Sequence, residues 1–587
     1  MLRYKSIKYQ VRFTDMKKLM LGDFAVARGA WEAGVKVATA YPGTPSTEIT
    51  EELARYDDVY SEWSPNEKVA LEVGIGSSIR GARTIVSMKH VGLNVACDPL
   101  FTASYTGVNG GLVVAVADDP SVFSSQNEQD TRLTAVSAQV PVLEPSDSQE
   151  AKDFTKLAFE LSEKYDTPII LRITTRVAHS QSLVELCERE KQPVKSYERN
   201  IAKYVMMPAN ARTKHVAVED RTQKLSEDSN GFAINRIEEG SKELGIICAG
   251  GVYQYVKEAL PEASVLKLGT VWPLPYKLIE KFAKSVKRCI VAEELAPHLE
   301  TQIKAHGIAV EGKNIFPHCG EFSAKLIREK VLGEKAEISP ASVPARPPVL
   351  CAGCPHRGVF YVLSKLKLNV LGDIGCYTLG AVPPLGSMDA VVCMGASIGM
   401  AIGFDKADPQ AHKHSVAVIG DSTFIHSGIT GLIDAVYNKA KVTVVILDNR
   451  TTGMTGHQNH PATGKTIKNE PTYELNLEEV CRAVGVKDVV TVDPGDLAAT
   501  EKAVKAALAN EDVSVIIAKK PCVLLTKKLY TGFKVNEKCR KCKACLKLGC
   551  PAIVNGKNGI TIDVSLCTEC GLCQGVCKFG AIDGEVK

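Results

Sequence analysis

The C-terminal tail of the chain concentrates cysteines at spacings that suit metal chemistry. Eight of the 19 cysteines fall within residues 539–577, in the runs Cys539, Cys542, Cys545, Cys550 and Cys567, Cys570, Cys573, Cys577. A four-iron, four-sulfur cluster takes four thiolates, which three closely spaced cysteines and one from the other run supply. Two structural zinc sites are the alternative, but zinc sites repeat CxxC pairs rather than triples. We therefore expect iron.

The order of these cysteines resembles that of bacterial two-cluster ferredoxins, in which the last cysteine of each run binds the other cluster. Four residues precede Cys550 where three are usual, and Lys578 stands where proline is usual, which predicts one wider loop. The resemblance implies a ferredoxin domain over residues 527–587. Its two clusters would be held by Cys539, Cys542, Cys545 and Cys577, and by Cys550, Cys567, Cys570 and Cys573.

Basic residues are frequent around the first cysteine run. Such a cluster could dock an acidic external electron carrier, and the alternative is a solvated charged face. The residues are Lys534, Lys538, Arg540, Lys541, Lys543 and Lys547.

Two predicted strands, in SVAVIGDST and VTVVILDN, each end in residues that can bind a hard cation. The first strand ends at Asp421, and the second ends at Asn449, 28 positions later. Neighbouring parallel strands present their carboxyl ends at one edge of a sheet, where open α/β sheets bind ligands. Magnesium would take the Asp421 carboxylate, the Asn449 amide oxygen and a carbonyl near Thr451 while bridging two phosphates. The alternative is an aspartate that only caps a helix.

This pair resembles the thiamine diphosphate motif, GDG followed by a distant asparagine, with Ser422 in place of the third glycine. Upstream, CMGASIGMAIG predicts a small-residue helix that a cofactor can approach closely. Downstream, GMTGHQNHP predicts a glycine-rich loop. The resemblance implies a cofactor site formed by His356, Gly395, Gly420, Asp421, Ser422, Asn449, Thr451 and Gly453.

A third set of cysteines surrounds this motif. The pattern Cys351-x2-Cys354, a later Gly-Cys376 and a late Pro-Cys522 resembles the catalytic subunits of 2-oxoacid:ferredoxin oxidoreductases. The resemblance implies a third, proximal 4Fe-4S cluster on these four cysteines. On its own, the first pair would be explained equally well by two core thiols.

Two N-terminal segments, YPGTPST from Tyr41 and NEKVALEVGIGSSIRGART from Asn66, look like the pyrimidine-binding domain of the same family. The resemblance implies that Thr44 contacts the carboxylate or keto oxygen of the substrate. It also implies that Glu72 or Glu67 protonates the cofactor ring. We prefer Glu72, from its spacing of nine residues to Gly81 in the GAR sequence, although Glu67 follows an asparagine as in many thiamine enzymes. A surface helix would instead leave either carboxylate in water.

The segment VADDPSVFSSQNEQDTR, residues 116–132, and the order of the domains are similar to the indolepyruvate-type branch of this family. Four polar residues would then line the substrate cleft, although a polar loop is the alternative: Ser124, Ser125, Gln126 and Asn127.

The resemblance implies oxidative decarboxylation of aryl pyruvates such as indolepyruvate and phenylpyruvate. Coenzyme A would take the acyl group, and electrons would pass through the clusters to ferredoxin. It further implies a smaller β subunit in an α2β2 assembly. The alternatives are a related enzyme for pyruvate or another aliphatic 2-oxoacid, a thiamine decarboxylase that releases aldehyde, and a non-catalytic electron-transfer subunit.

The chain has 587 residues, about four times a typical domain, and alternating apolar and amphipathic segments predict a multidomain α/β protein. We expect two doubly wound thiamine-diphosphate domains, a smaller transketolase-C-like α/β domain and the two-cluster ferredoxin tail. The predicted parts are a pyrimidine-binding domain (1–190), linker and surface elements (191–241), the small domain (242–338), a proline-rich linker (339–348), the diphosphate domain (349–526) and the tail (527–587).

The composition excludes several classes of protein. With 45% hydrophobic and 24% charged residues the chain should be globular, and a net charge of +4 is too small to indicate a nucleic-acid partner. No apolar run reaches the roughly 18 residues of a membrane span, and no secretory signal is evident, so we expect a cytoplasmic protein. We assign no role to the scattered Cys97, Cys187, Cys248, Cys289 and Cys319.

Overall fold

The computed structural model describes residues 17–334, 343–344, 347–526, 528–557 and 559–586. The chain divides into two compact units, Met1–Pro340 and Ala341–Lys587. Residues 1–16 of the predicted first domain, most of the predicted proline-rich linker and Lys527 at the start of the predicted tail lie outside the described residues. Within the described part of the chain, every helix is too short or too polar to span a lipid bilayer.

The first part of unit one alternates strands and helices. Strands β1 to β8 are Lys17–Leu21, Val37–Ala40, Tyr60–Trp63, Thr84–Lys89, Leu112–Asp118, Val142–Leu143, Ile169–Thr174 and Gln181–Glu185. Helices α1 to α8 are Gly22–Glu32, Thr47–Leu53, Glu67–Arg80, His90–Val95, Cys97–Thr106, Thr131–Ala138, Ser148–Tyr165 and Thr175–His179. Strands β4, β5 and β7 are entirely buried, which is typical of a parallel sheet covered on both faces.

The remainder of unit one forms a smaller α/β region. Its helices α9 to α14 are Ile201–Tyr204, Pro208–Ser229, Val252–Ala259, Tyr276–Ser285, His298–Ala305 and Ala324–Leu332. Its strands β9 to β13 are Arg236–Glu238, Ser241–Ala249, Ala263–Leu268, Thr270–Trp272 and Arg288–Ala292. The polar stretch that we expected to be linker and surface elements therefore contains the 22-residue helix α10, which begins with a proline at its first turn.

Besides the two-stranded β1-β8 sheet, this unit has two larger sheets, and these are connected. Strand β12 pairs antiparallel with β6, so it joins the sheet of the first part, whose order is β12-β6-β7-β5-β4-β2-β3. The other four strands form a separate sheet in the order β13-β10-β11-β9. The buried Arg132 side chain links the two parts, since its Nη1 atom donates to Glu293 Oε2 at 3.0 Å.

The second unit is built on a parallel five-stranded sheet with the order β14-β15-β16-β18-β17. Strands β14 to β18 are Asn369–Leu371, Ser415–Gly420, Thr443–Asp448, Asp488–Val492 and Ser514–Lys519. Helices α15 to α20 are His356–Leu366, Ala396–Ala407, Asp421–Thr423, Ile429–Tyr437, Leu477–Ala483 and Leu497–Leu508. Since β15 and β16 are neighbours, their carboxyl ends lie side by side.

The cysteine-rich tail has little regular structure and packs on the same unit. It contains strands β19 to β22 (Lys534–Val535, Ile553–Gly556, Gly559–Ile562, Ile582–Asp583) and helix α21 (Leu572–Val576). Arg357 on α15 donates to the carbonyl of Leu548 in the tail at 2.6 Å. Gly353 has a positive φ of 71°, and a Cβ atom there would lie 1.9 Å from Thr568 Oγ1. The tail is therefore fitted closely against the loop that carries Cys351 and Cys354.

Candidate functional site

Asp421 begins the short helix α17 directly after β15, and its carboxylate is buried at the edge of the sheet. Oδ1 accepts the backbone N–H of Ser422 at 2.7 Å, and Oδ2 accepts that of Arg450 at 2.8 Å. His460 Nε2 lies 3.2 Å from Oδ2. Burial opposes ionisation of this carboxyl group, but the attraction and hydrogen bonding of His460 outweigh it and lower its pKa. The carboxylate is thus held in its ionised form.

Asn449 follows β16 on the neighbouring strand and is buried beside Asp421. Its Nδ2 atom lies 3.3 Å from His356 Nε2. Burial lowers the pKa of His356 to about 4, so its imidazole is neutral and can accept this hydrogen bond. Among the residues that the structure describes, the Asn449 Oδ1 atom receives only a long 3.4 Å contact from the Thr451 N–H. His356 therefore orients the amide so that its oxygen remains available to a cation.

Small residues and a buried carboxylate shape the rest of this edge. Asp373, after β14, accepts the backbone N–H groups of Gly395 and Ser397 at 2.9 and 3.1 Å and so fixes the start of α16. Gly395 has a φ of 89°, and a Cβ atom there would lie 2.5 Å from the Cβ of Ser427. Phe424–Gly428, after α17, is a single π-helical turn, a feature often found at functional sites.

The residues present fit a magnesium-bound diphosphate. The donor set of Asp421 and Asn449 is composed of buried oxygens, which hard cations prefer. The adjacent Asp448 adds a buried Oδ1 atom that has no hydrogen-bond partner among the described residues. Burial and the charge of Asp421 raise the pKa of Asp448 to about 6. A cation here would offset this concentration of negative charge.

The four cysteines of the predicted proximal set lie close together next to this edge. Burial raises the pKa of Cys376 to about 11, with further contributions from Cys522 and Cys351. Burial raises the pKa of the Cys354 thiol to about 12, and the nearby Cys351 and Cys376 raise it further. The backbone N–H of Cys522 donates to the Asn449 carbonyl at 2.9 Å. A Cβ atom at Gly453 would lie 3.4 Å from Cys376 Sγ. The candidate cluster and metal sites are therefore adjacent.

The tail contains two separate small apolar pockets. Cys539, Cys542, Cys545 and Cys577 line one of them. Cys550, Cys567, Cys570 and Cys573 line the other. The structure thus brings together the two cysteine sets implied by the ferredoxin resemblance, including the exchange of Cys550 and Cys577 between runs.

The two pockets differ in their surroundings. Ala352, Gly353 and Arg357 also line the pocket of the Cys567 set, which therefore adjoins the Cys351–Cys354 loop. Arg540 and Lys543 line the pocket of the Cys539 set. All six basic residues singled out in the sequence are exposed, and within the described part of the chain none pairs with a carboxylate.

The proximal cluster and the thiamine site that the resemblance implies predict that replacing Cys522 with alanine removes the iron of one cluster per chain and leaves the coenzyme content unchanged. The physical reason is that a 4Fe-4S cluster needs four thiolates. Iron analysis and low-temperature EPR of the reduced protein measure the effect. Cys481→Ala is the matched control, because Cys481 lies in the apolar core of the same domain. An iron content equal to that of the control would contradict the assignment of Cys522.

In the first unit, the two candidate glutamates lie in different environments. Glu67 is the first residue of α3, which follows β3 after a short loop, and it is buried. A Cβ atom at Gly92 would lie 2.6 Å from its Oε1 atom, so this glycine leaves room for the carboxylate. Glu72 lies on the exposed side of α3, where it forms an ion pair with Lys68. The geometry favours Glu67 for a role in a site, in contrast to our preference for Glu72 from sequence spacing.

Thr44 is half-buried in the loop after β2, and its carbonyl accepts a hydrogen bond from Ser124 Oγ at 3.3 Å. Asp119 Oδ2 accepts the Ser125 hydroxyl at 2.7 Å and the Ser124 N–H at 2.8 Å. Gln126 and Asn127 are exposed. The predicted polar loop thus meets the Thr44 loop.

Lys89 is a residue of this site that sequence reasoning missed. It ends β4, is buried, and donates from Nζ to the Ser124 carbonyl at 3.0 Å. A Cβ atom at Gly43, which precedes Thr44, would lie 3.2 Å from the Lys89 side chain. Burial lowers the pKa of Lys89 to about 8, although Asp119 and Glu67 act in the opposite direction. Its position at the carboxyl end of a buried strand is the one signal that could have identified it.

Comparison with known proteins places these features in a family. The family model described as "Pyruvate flavodoxin/ferredoxin oxidoreductase, thiamine diP-bdg" matches residues 28–233. "Thiamine pyrophosphate enzyme, C-terminal TPP binding domain" matches residues 373–518, and "4Fe-4S binding domain" matches residues 560–583. These matches confirm the predicted fold class of thiamine-diphosphate α/β domains with a ferredoxin tail, and they support thiamine diphosphate and iron–sulfur as cofactors.

Curated relatives cover nearly the whole chain. Indolepyruvate oxidoreductase subunit IorA of Pyrococcus horikoshii is 42% identical over 97% of this chain and 97% of the relative. The protein of the same name from Archaeoglobus fulgidus is 42% identical over 96% of this chain and 97% of the relative. A solved 2-oxoglutarate:ferredoxin oxidoreductase of Magnetococcus marinus has a TM-score of 0.45 at 19% identity, covering 54% of this chain and 65% of that one.

The family matches and the two IorA relatives agree on one chemistry. The predicted enzyme class is confirmed: the chain is part of a thiamine-dependent 2-oxoacid:ferredoxin oxidoreductase that uses 4Fe-4S electron transfer. Because the similarity extends over almost the full length of the curated relatives, the protein belongs to the indolepyruvate oxidoreductase IorA family of 2-oxoacid:ferredoxin oxidoreductases.

Proposed function

We propose that the protein oxidatively decarboxylates aryl pyruvates, with indolepyruvate and phenylpyruvate as substrates and coenzyme A as acyl acceptor. The bond to the carboxylate breaks and carbon dioxide leaves. The carbonyl carbon then forms a thioester with the sulfur of coenzyme A, whose thiol proton is released. The two electrons from the broken bond pass one at a time to ferredoxin. The observation that carries the proposal is 42% identity over 97% of both chains to a relative named for indolepyruvate.

The residues of the second unit would hold the coenzyme. Asp421, Asn449 and a carbonyl near Thr451 would bind Mg²⁺, and His356 would keep the Asn449 amide in the orientation that this requires. Gly395, Gly420, Ser422 and Gly453 would allow the coenzyme to approach the backbone. When bound, thiamine diphosphate supplies the centre that accepts electrons during decarboxylation.

We assign to Glu67 the proton exchange with the aminopyrimidine ring that we first expected of Glu72. The burial of Glu67 supports this role, because a site closed to water strengthens the interactions between the groups inside it. Glu72 is exposed and already paired with Lys68.

Lys89 and Thr44 would anchor the carboxylate of the substrate. Lys89 supplies a buried positive charge beside the Thr44 loop, and a carboxylate is the ligand that such a charge attracts. The polar loop, Ser124 to Asn127, would form the neighbouring wall.

This assignment predicts a pH dependence of substrate binding. The pKa of Lys89 is lowered to about 8, so the ammonium group loses its proton as the pH rises through that value. The KM for the 2-oxoacid should then rise about tenfold, the worth of a charge-assisted hydrogen bond. Steady-state kinetics from pH 6 to 10 measure the effect. Lys89→Arg, which stays charged, should abolish the rise. The same dependence of KM on pH in wild type and Lys89→Arg would refute the role of Lys89.

We further propose three 4Fe-4S clusters in sequence. Electrons would enter at the set of Cys351, Cys354, Cys376 and Cys522, and pass to the Cys567 set, whose pocket adjoins the Cys351–Cys354 loop. They would leave from the Cys539 set, beside which exposed lysines and arginine offer a docking surface for an acidic ferredoxin.

The relatives are named as subunits of an oxidoreductase. We propose that this chain likewise pairs with a smaller β subunit, in an α2β2 assembly, and that the partner completes the active site.

One assay tests the proposed substrate class. The chain is purified anaerobically with its partner subunit and offered indolepyruvate, phenylpyruvate or pyruvate with coenzyme A, while viologen reduction and thioester formation are followed. We expect both aryl pyruvates to give rapid reduction and an aryl-acetyl-CoA product. Preference for pyruvate, or aldehyde release without viologen reduction, would overturn the proposal.

A further inference from the structure

A group of potential metal ligands lies in the first unit among residues to which we have assigned no role. Asp23, Glu48 and His179 each place a ligand atom so that all of these atoms lie within 4.8 Å of one another. Asp23 is in the first turn of α1, Glu48 is in the first turn of α2, and His179 is the last residue of α8. Three segments distant in sequence therefore converge on one point.

Asp23 is the unusual member of this group. It is completely buried, and neither of its carboxylate oxygens has a hydrogen-bond partner among the described residues. Burial and the neighbouring charge of Glu48 raise its pKa well above the ordinary value. A buried carboxylate is normally hydrogen-bonded, paired with a cation or bound to a metal. Here it faces a second carboxylate, so either a shared proton or a cation must lie between them.

The other two members form the open side of the group. His179 Nε2 lies 3.7 Å from Glu48 Oε2, and their side chains are 37% and 33% exposed. The hydrogen bond and charge of His179 lower the pKa of Glu48, against the effect of its partial burial. Glu48 is thus favoured as a carboxylate, and with His179 it forms the solvent-facing side of the group.

We propose that Asp23, Glu48 and His179 bind a divalent transition-metal ion through two carboxylate oxygens and one imidazole nitrogen. This mixed oxygen and nitrogen donor set suits Zn²⁺, which commonly takes three protein ligands and leaves a fourth position open. The ion replaces a shared proton between the two carboxylates. It also ties together the first turns of α1 and α2, and α2 directly follows the loop that carries Thr44.

The test compares zinc binding by the full chain and by variants of the group. The protein is isolated anaerobically with its clusters in place, so that the cluster cysteines are occupied, treated with a chelator and dialysed against Zn²⁺. Zinc and iron per chain are then counted in the same sample. The variants are Asp23→Asn, which keeps the side-chain shape, and His179→Gln, which changes an exposed residue and does not threaten folding. His215→Gln is the matched control, because His215 forms a similar pair with Glu219, at 3.9 Å, on exposed α10.

We expect wild type and the control to hold one more zinc per chain than Asp23→Asn and His179→Gln, with equal iron in all four proteins. Zn²⁺ should also raise the apparent Tm of wild type and not that of the two site variants. Equal zinc in all four proteins would overturn the proposal. A more stable Asp23→Asn variant with unchanged zinc would overturn it as well, because it would show that the two carboxylates share a proton.

Discussion

Replacing Asp421 with alanine is expected to strip the protein of thiamine diphosphate. Asp421 is a buried carboxylate held at the carboxyl end of β15 by the backbone N–H groups of Ser422 and Arg450. Loss of a residue that merely supports a metal ligand costs about 10- to 100-fold in affinity, so loss of the ligand itself should cost more than about 100-fold. Coenzyme content after gel filtration, with and without added thiamine diphosphate and Mg²⁺, measures the effect.

Two controls separate this effect from general damage. Asp434→Ala removes an exposed carboxylate from α18 of the same domain and should retain the coenzyme. The iron of the tail should be the same in both variants, because the two tail pockets are formed by other residues. Retention of the coenzyme by Asp421→Ala would refute the assignment of Asp421 as a metal ligand.

The second large effect is expected at Glu67. Glu67→Gln removes the proton-exchanging carboxylate and keeps its size, which matters because Gly92 packs against this side chain. Loss of an acid–base group typically lowers kcat by about 10²- to 10⁴-fold. Glu72→Gln removes only an exposed ion pair with Lys68 and should leave kcat close to that of wild type.

The two glutamine variants are matched, since both lie on α3 and both lose one negative charge. Coenzyme content should be equal in them, so a difference in kcat reports on proton exchange rather than on binding. A large loss of kcat in Glu72→Gln together with a nearly normal Glu67→Gln would reverse the assignment and restore the preference based on sequence spacing.

The parts of the site that follow strand order were predictable from the sequence. Asp421 and Asn449 each follow an apolar strand, and consecutive parallel strands that pair must bring their carboxyl ends together. The two cysteine sets of the tail were predictable for a similar reason, because the ferredoxin pattern specifies which cysteine of each run is exchanged.

The remaining features depend on tertiary packing. Sequence spacing could not distinguish Glu67 from Glu72, because burial depends on which face of α3 meets α4 and Gly92. Lys89 carries no motif, and its proximity to Thr44 and Ser124 arises from two loops that meet above β4. Asp23, Glu48 and His179 come from three distant segments and have no characteristic spacing. The helix α10 lies in a polar stretch whose periodicity is weak.

The central claim is that a thiamine coenzyme held by Asp421 and Asn449 passes electrons from a 2-oxoacid directly into iron–sulfur clusters of the same chain. The most direct test mixes the anaerobic holoenzyme with indolepyruvate and coenzyme A, without any external carrier, and records EPR spectra of samples frozen at successive times. We predict a signal of reduced 4Fe-4S clusters whose size follows the thiamine diphosphate content. A protein that carries iron and coenzyme and consumes the 2-oxoacid, yet shows no such signal, would contradict the account.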